Sequence, residues 1–221
     1  LPYFVDSNVI IGYIFYNADS WGRASIQAFD DKEENYSGDY VKRECFGDCN
    51  GDYESGKVNT IKNYVSKVLN RIILYLKEGK TIQMAISETE KEIKVNRERI
   101  DEIIDEVQKE KKANPHRSIQ SLLTEKKRDF EKQVILRRAH VDKNCCWDTC
   151  QKPYTDIYNQ LLQIIDDEDD IEVLIGAHHL AQSCQDLTFI SGDYKDVIPN
   201  TLQILSITDI NNIKPLRDFN N

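Results

Sequence analysis

The sequence predicts an α/β fold, a small parallel sheet with helices around it, interrupted by an inserted α-helical hairpin. Three observations predict it. Short apolar runs rich in β-branched and aromatic residues, one at "YFV" and one at "LTFIS", have no helical period and read as buried strands. Helical spacing follows or precedes each of them, and strands that alternate with helices imply a parallel sheet with its ligand site at the strands' carboxyl ends. Between the two runs lies a long charged stretch whose apolar residues recur at helical spacing.

The opening run "LPYFVDSNVIIGYIF" is a strand that gives way after Asn8 to a helix, with Asp6 at the hinge. A buried carboxylate without a partner is costly, so Asp6 needs an exposed strand end or a counter-charge. After the polar residues 30–39, "DYVKRECFGDCNGDY" carries a short helix ending at a glycine-rich turn. Residues 58–77 place Val58, Ile61, Val65, Val68, Leu69, Ile72 and Leu76 on one helical face. In "AISETEKEIKVNRERIDEIIDEVQKEKK", Ile86, Ile93, Ile100, Ile103 and Val107 recur at heptad-like intervals, and the proline of "ANPHRS" ends that helix. Ile119, Leu122, Leu123, Phe130, Val134 and Val141 repeat the pattern as an antiparallel return. At 1.5 Å per residue, arms of about 28 residues protrude roughly 40 Å. From Tyr154, the helix "YTDIYNQLLQII" leads through the acidic run "DDEDDIE" into an apolar helix. "LTFISGDYKDV" is then a second buried strand ending at Asp193, and "LQILSI" a third. The expected division is 1–56 with 144–221 for the α/β body and 57–143 for a coiled-coil-like arm.

With 221 residues, 40% hydrophobic and 30% charged, the chain has the composition of a soluble globular protein. No apolar stretch approaches the roughly 20 residues that a bilayer span needs, and no basic segment with a small-residue cleavage site opens the chain. The expectation is a cytoplasmic protein with no membrane contact. Because it begins with Leu1 rather than methionine, the sequence is expected to be part of a longer chain. The net charge of −9 argues, on average, against a polyanionic ligand. That average hides a division. Residues 109–143 hold 11 Lys or Arg against 5 Asp or Glu, which leaves −15 for the remainder.

Asp6 and Asp193 both end predicted strands, and strand ends in such a sheet converge on one crevice. Glu44 and Asp170 lie between them in sequence. Each acid alone has an ordinary reading: an aspartate at a helix start is a good N-cap, and an acidic run is usually a solvated face. Their order is more specific. A hydrophobic strand, Asp6-Ser7-Asn8, an apolar helix, Glu44, "DIEVLIGA" from Asp170, and "FISGDYKD" with Ser191, Asp193 and Asp196 together resemble the PIN domain family of metal-dependent ribonucleases. The resemblance covers about 1–56 and 144–210.

It implies a PIN-like three-layer α/β/α sandwich and an endoribonuclease that hydrolyses RNA phosphodiester bonds with a metal-activated water. Asp6, Glu44, Asp170 and Asp193 would be the catalytic acids holding one or two Mg²⁺ or Mn²⁺ ions, directly or through water. Asp196 would support them, Ser191 would order the site by hydrogen bonds, Asn8 would brace the loop, and Ser7 would be a supporting residue beside Asp6. Hard divalent cations suit a set of carboxylates without histidine or cysteine. Without the ion, packed carboxylates repel, so at least one should hold a raised pKa. The sequence departs from the family twice. "DDEDDIE" offers both Asp170 and Glu172 as the third acid, with Asp170 preferred. The separation of Glu44 from Asp170 is also far longer than in compact members, because the arm is inserted there, an insertion that costs little once its ends are anchored.

The arm has a bland reading, a solvated hairpin, and a sharper one. In the latter, Lys111, Lys112, Lys126, Lys127, Arg128, Arg137 and Arg138 grip the phosphates of a structured RNA. A third reading makes its isoleucine stripe a contact with a second copy or a protein partner. The cysteines are read as free thiols. The alternative is a structural Zn²⁺ held by Cys45, Cys49, Cys146 and Cys150, two C-x₃-C pairs at the two roots of the arm. A phosphatase of the haloacid dehalogenase type needs a second aspartate where Asn8 stands. A response-regulator receiver lacks its paired acid and lysine, and toxin-type endonucleases of this fold are compact. The competing class is a PIN-fold scaffold for RNA binding or assembly without turnover, against which the retention of all four acidic positions speaks.

Overall fold

Tyr3, Phe4 and Val5 are all buried and form the central strand, β1 (Tyr3–Val5), in a computed structural model that describes residues 2–15, 20–31, 34–47, 55–95 and 97–220. β1 is flanked on one side by β2 (Asn35–Gly38) and then β3 (Cys145–Asp148), and on the other by β4 (Thr188–Ser191) and then β5 (Asn212–Pro215). All four pairings are parallel, with Phe4 opposite Tyr36 on one side and Phe189 on the other. The fold is therefore α/β with a small all-parallel sheet, consistent with three layers. Central parallel strands lie between covering helices, which is why β1 and β4 are buried along their whole length.

The first crossover begins at once, because Asp6 caps α1 (Ser7–Ile14) by accepting a hydrogen bond from the Ser7 N–H. α1 packs closely on α2 (Ser20–Asp30). A Cβ at Gly12 would lie 2.1 Å from the Ser25 hydroxyl, so glycine is required for that approach. α3 (Asp39–Phe46) follows β2 directly. After β3 come α8 (Thr155–Leu161) and α9 (Glu168–Ala181), and α10 (Thr201–Ile207) precedes β5. The strand order 3-2-1-4-5 puts the topological switch between β1 and β4, the place where open parallel sheets leave a crevice at their carboxyl ends.

Several expectations are corrected here. β2 occupies residues expected to be a polar connection, and β3 runs through the cysteine segment. "LQILSI" is not a strand but α10, and the strand beside β4 is the less apolar "NIKP". β4 stops at Ser191, two residues before Asp193.

The chain divides into two units, Leu1–Val58 with Arg137–Asn221 and Asn59–Leu136. The second is not a simple hairpin. It holds most of α4 (Lys57–Lys77), all of α5 (Ile82–Glu92) and α6 (Arg97–Ala113), and the first part of α7 (Ile119–Asn144). The single heptad-bearing helix expected over residues 85–112 is broken at Ile93, whose backbone is extended (φ −131°, ψ 128°). Arg71 and Tyr75 both bond Glu92 at the end of α5, and Tyr64 donates to the Lys94 carbonyl at 2.9 Å, which pins the break. α6 therefore runs only about 25 Å at 1.5 Å per residue.

Within this unit Val65, Leu69, Ile72, Ile100, Val107, Leu122 and Leu123 are buried in one core, with Ile61, Ile86, Ile93, Ile103 and Phe130 half-buried against it. The isoleucine stripe is thus covered by the unit's own helices. The antiparallel return is present: Lys126 of α7 pairs with Glu106 of α6 at 3.0 Å, and Arg117 in the turn pairs with Glu110 at 2.7 Å and with Glu125. Among the described residues, no helix is long and apolar enough to cross a membrane.

Leu69 is fully buried in this core. Leu69→Ala should lower unfolding free energy by about 2–5 kcal/mol, measured by urea denaturation of the full chain; a loss under about 1 kcal/mol would contradict the assigned core.

Candidate active site

Asp6 leaves the end of β1 and is 3% exposed. Its carboxylate accepts from the Ser7 N–H at 2.6 Å, the Asn8 side-chain amide at 2.6 Å and the Ser191 hydroxyl at 2.7 Å. Ser191 comes from the end of β4 and accepts in turn from the Asp193 N–H at 2.9 Å. Asn8 completes the tie, since its carbonyl oxygen accepts from the Gly192 N–H at 2.8 Å. The two strand ends are therefore joined by side chains rather than by backbone alone. Burial drives the Asp6 pKa from 3.8 up to about 6, with the nearby Glu44 adding to the rise, although Ser191, Ser7 and Asn8 all pull it down.

Asp193 accepts from the backbone N–H groups of Lys195 (2.7 Å) and Asp196 (2.8 Å). Burial raises its pKa, but those N–H bonds and a hydrogen bond from Asp170 outweigh burial and hold it below the usual carboxylate range. Asp170 is the other half of that bond. Burial, the bond to Asp193, and the charges of Asp193, Asp6 and Asp167 lift it from 3.8 to about 8. Two carboxyl groups thus share one proton, as expected of like charges brought together. Asp170 is not the cap of α9; Asp167 is, accepting from the Asp169 N–H at 3.0 Å.

The remaining acids are placed differently. Glu44 on α3 lies near enough to raise the Asp6 pKa, yet its carboxylate is ion-paired with Lys57. Glu172 is exposed and lines a separate cleft of 360 Å³ with Tyr40, Asp148, Lys152 and Tyr158. Asp196 is buried but pairs with Lys195 of its own turn at 3.0 Å. Among the described residues, no group of three or more His, Cys, Asp or Glu side chains is arranged to hold a metal ion.

No family model, no curated protein and no solved structure matches this chain.

The described members of the proposed thiol quartet lie in different surroundings. Cys45 is fully buried with its thiol toward the Ser7 carbonyl (3.9 Å), Cys146 is exposed, and Cys150 turns to the Lys152 carbonyl (3.4 Å). Cys49 lies outside the described residues. Burial, with Glu44 and Asp6 close by, keeps Cys45 protonated.

Most of the arm's cations are engaged. Lys111 donates to the carbonyls of Pro115 and Arg117, both at 2.6 Å, Lys126 pairs with Glu106, and Lys127 pairs with Glu131 at 3.1 Å. Arg137 donates to the Tyr13 and Ile14 carbonyls (3.5 and 3.4 Å), and Arg138 lies over the Phe46 ring. Lys112 is exposed, and Arg128 lines a shallow cleft with Ser118, Ser121 and Thr124. Sequence reasoning missed Lys57 as the partner of Glu44, a pairing that no local pattern marks.

Asp6 and Asp170 hold their protons more tightly folded than unfolded. In metal-free buffer their contribution to stability is complete below about pH 4 and is lost as pH rises through about 6 and about 8. Urea unfolding across pH 4 to 9 should therefore show declining stability, and in Asp170→Asn the decline should end near pH 6. A flat profile in the unaltered chain would contradict the assigned proton sharing.

Proposed function

We propose that the chain is a PIN-like, metal-dependent endoribonuclease whose centre is Asp6, Asp170 and Asp193, with Glu44 beside them. The observation that carries this reading is the meeting of Asp6 and Asp193 through Ser191 at the β1/β4 switch, with Asp170 hydrogen-bonded to Asp193. These residues fit Mg²⁺ or Mn²⁺. Their donors are all carboxylate oxygens, and the shared proton marks a site short of positive charge. When bound, such an ion lowers the pKa of a water and stabilises charge on the leaving oxygen of a phosphodiester.

The chain's own residues supply the rest. Ser191 and Asn8 fix the Asp6 carboxylate, so that it is oriented before any ligand arrives. Backbone N–H groups hold one Asp193 oxygen. Asp170 must give up its proton for the cluster to reach full negative charge. Lys57 neutralises Glu44 and so competes with any cation for that carboxylate.

A scaffold without turnover is the second reading. The Lys57–Glu44 pair favours it, because that carboxylate is already occupied by a cation of the chain itself. One assay separates the two: single- and double-stranded RNA and DNA are incubated with Mn²⁺, Mg²⁺ or chelator. For a nuclease, the unaltered chain cleaves RNA with metal only, Asp6→Asn and Asp193→Asn do not cleave, and Asn8→Ala loses about 10–100-fold. Binding without cleavage by any of them would select the scaffold. Lys57→Ala removes the competing cation, so the Mn²⁺ concentration giving half-maximal cleavage should fall several-fold; an increase would show that Lys57 assists the site instead.

A further inference from the structure

Trp21 is 37% exposed and yet its ring is closely fitted against the backbone beside the acids. Its indole lies over Gly192, the residue between Ser191 and Asp193. A Cβ at Gly192 would come within 2.2 Å of the indole Cη2 and 2.4 Å of Cζ2, and one at Gly12 would lie 3.1 Å from Cδ1. Two glycines therefore make room for a ring that is not hidden. Tyr194 meets the indole edge-on, with centroids 6.2 Å apart and planes at 66°. Arg217 also contacts Tyr194: its guanidinium carbon lies 5.2 Å from the Tyr194 ring centre, and its backbone N–H donates to the Tyr194 hydroxyl at 2.9 Å.

We propose that Trp21 is a stacking platform for an unpaired base of the RNA, one peptide away from Asp193, with Arg217 placed to meet the strand's phosphate. The proposal rests on the nuclease reading and deepens it to a single-stranded substrate. A tryptophan needed only for packing would gain by full burial. Here the residue keeps 37% of its exposure next to the carboxylates that would act on the backbone. Every base has a π-face, so an exposed indole holds a strand without regard to sequence, and a nearby arginine adds attraction for its phosphates. Bases inside a duplex are already stacked and cannot use the ring.

The test uses the full chain carrying Trp147→Phe, which leaves Trp21 as its one tryptophan. Titration with a short single-stranded oligoribonucleotide should quench the Trp21 fluorescence, and the same backbone made abasic throughout should quench little and bind about tenfold more weakly. Trp21→Ala should raise KM about tenfold with a smaller effect on kcat, and should bind the normal and abasic strands equally; Trp21→Phe should restore most of the affinity. Equal binding of normal and abasic strands by the tryptophan-bearing chain, or the absence of quenching, would overturn the platform. That comparison leaves the protein intact, so it holds even if Trp21→Ala does not fold. If quenching and the abasic loss occur but no strand is cleaved, the nuclease reading fails and the platform stands. Cleavage with no abasic loss overturns the platform and leaves the nuclease standing.

Discussion

The burial of one carboxylate, Asp6, sets the geometry around it. A charge that is 3% exposed must be surrounded by donors, and the donors come from three places: the first N–H of α1, the amide of Asn8 and the hydroxyl of Ser191 on β4. Satisfying Asp6 therefore locks β1, α1 and β4 together at their carboxyl ends. The same atoms relay the order onward, since Ser191 accepts from the Asp193 N–H and Asn8 accepts from the Gly192 N–H. Three neutral donors do not fully offset the loss of water, and the residual cost is the rise of the Asp6 pKa to about 6.

That residual cost explains how the surrounding charges are arranged. Glu44 is paired with the cation of Lys57, whereas Asp170 lies among other carboxylates and its pKa rises to about 8. The excess of cations in residues 109–143 does little for this balance. Lys126 meets Glu106 of the facing helix, Lys127 meets Glu131 of its own, Arg117 in the turn meets Glu110 and Glu125, and Lys111 holds the carbonyls of Pro115 and Arg117. A basic stretch in a sequence is therefore a weak guide to a basic surface, because hairpin packing brings acidic partners from the other strand of the hairpin to meet it.

What the sequence revealed follows from how strongly each element is patterned. β1, α4 and the start of α7 carry apolar residues at spacings that only one secondary structure can bury, and they lie where those spacings put them. β2 and β3 were hidden because "NYSG" and "CCWD" are short and hold few aliphatic residues; sheet pairing, not propensity, makes them strands. "LQILSI" shows the reverse. Its apolar density suits a strand, but Ile204 alone is fully buried while Leu202 is 83% exposed, a one-sided burial that a short helix supplies. At the site, the acids next to strand ends were legible because a strand's end fixes where its next residues stand. The Lys57–Glu44 pair was not, because two charges 13 residues apart meet only after α3 and α4 are placed.

Helix geometry accounts for the choice between Asp170 and Glu172. Both belong to α9, and two residues along a helix turn a side chain by about 200°, so the two carboxyls face nearly opposite ways. Asp167 fixes the phase of the helix by capping it, which puts Asp170 in its first turn, where the unpaired N–H groups favour negative charge. From there Asp170 reaches Asp193 at the end of the β4 loop, while Glu172 is carried round to the cleft beside Tyr40 and Tyr158. The macrodipole should lower the Asp170 pKa, and it does not prevail. Burial together with three neighbouring carboxylates raises the pKa to about 8, so burial and proximity to Asp193, Asp6 and Asp167 outweigh the helix end. A first-turn aspartate that remains protonated at neutral pH is held there by its neighbours, and below about pH 8 it takes a group that brings positive charge to them to release the proton.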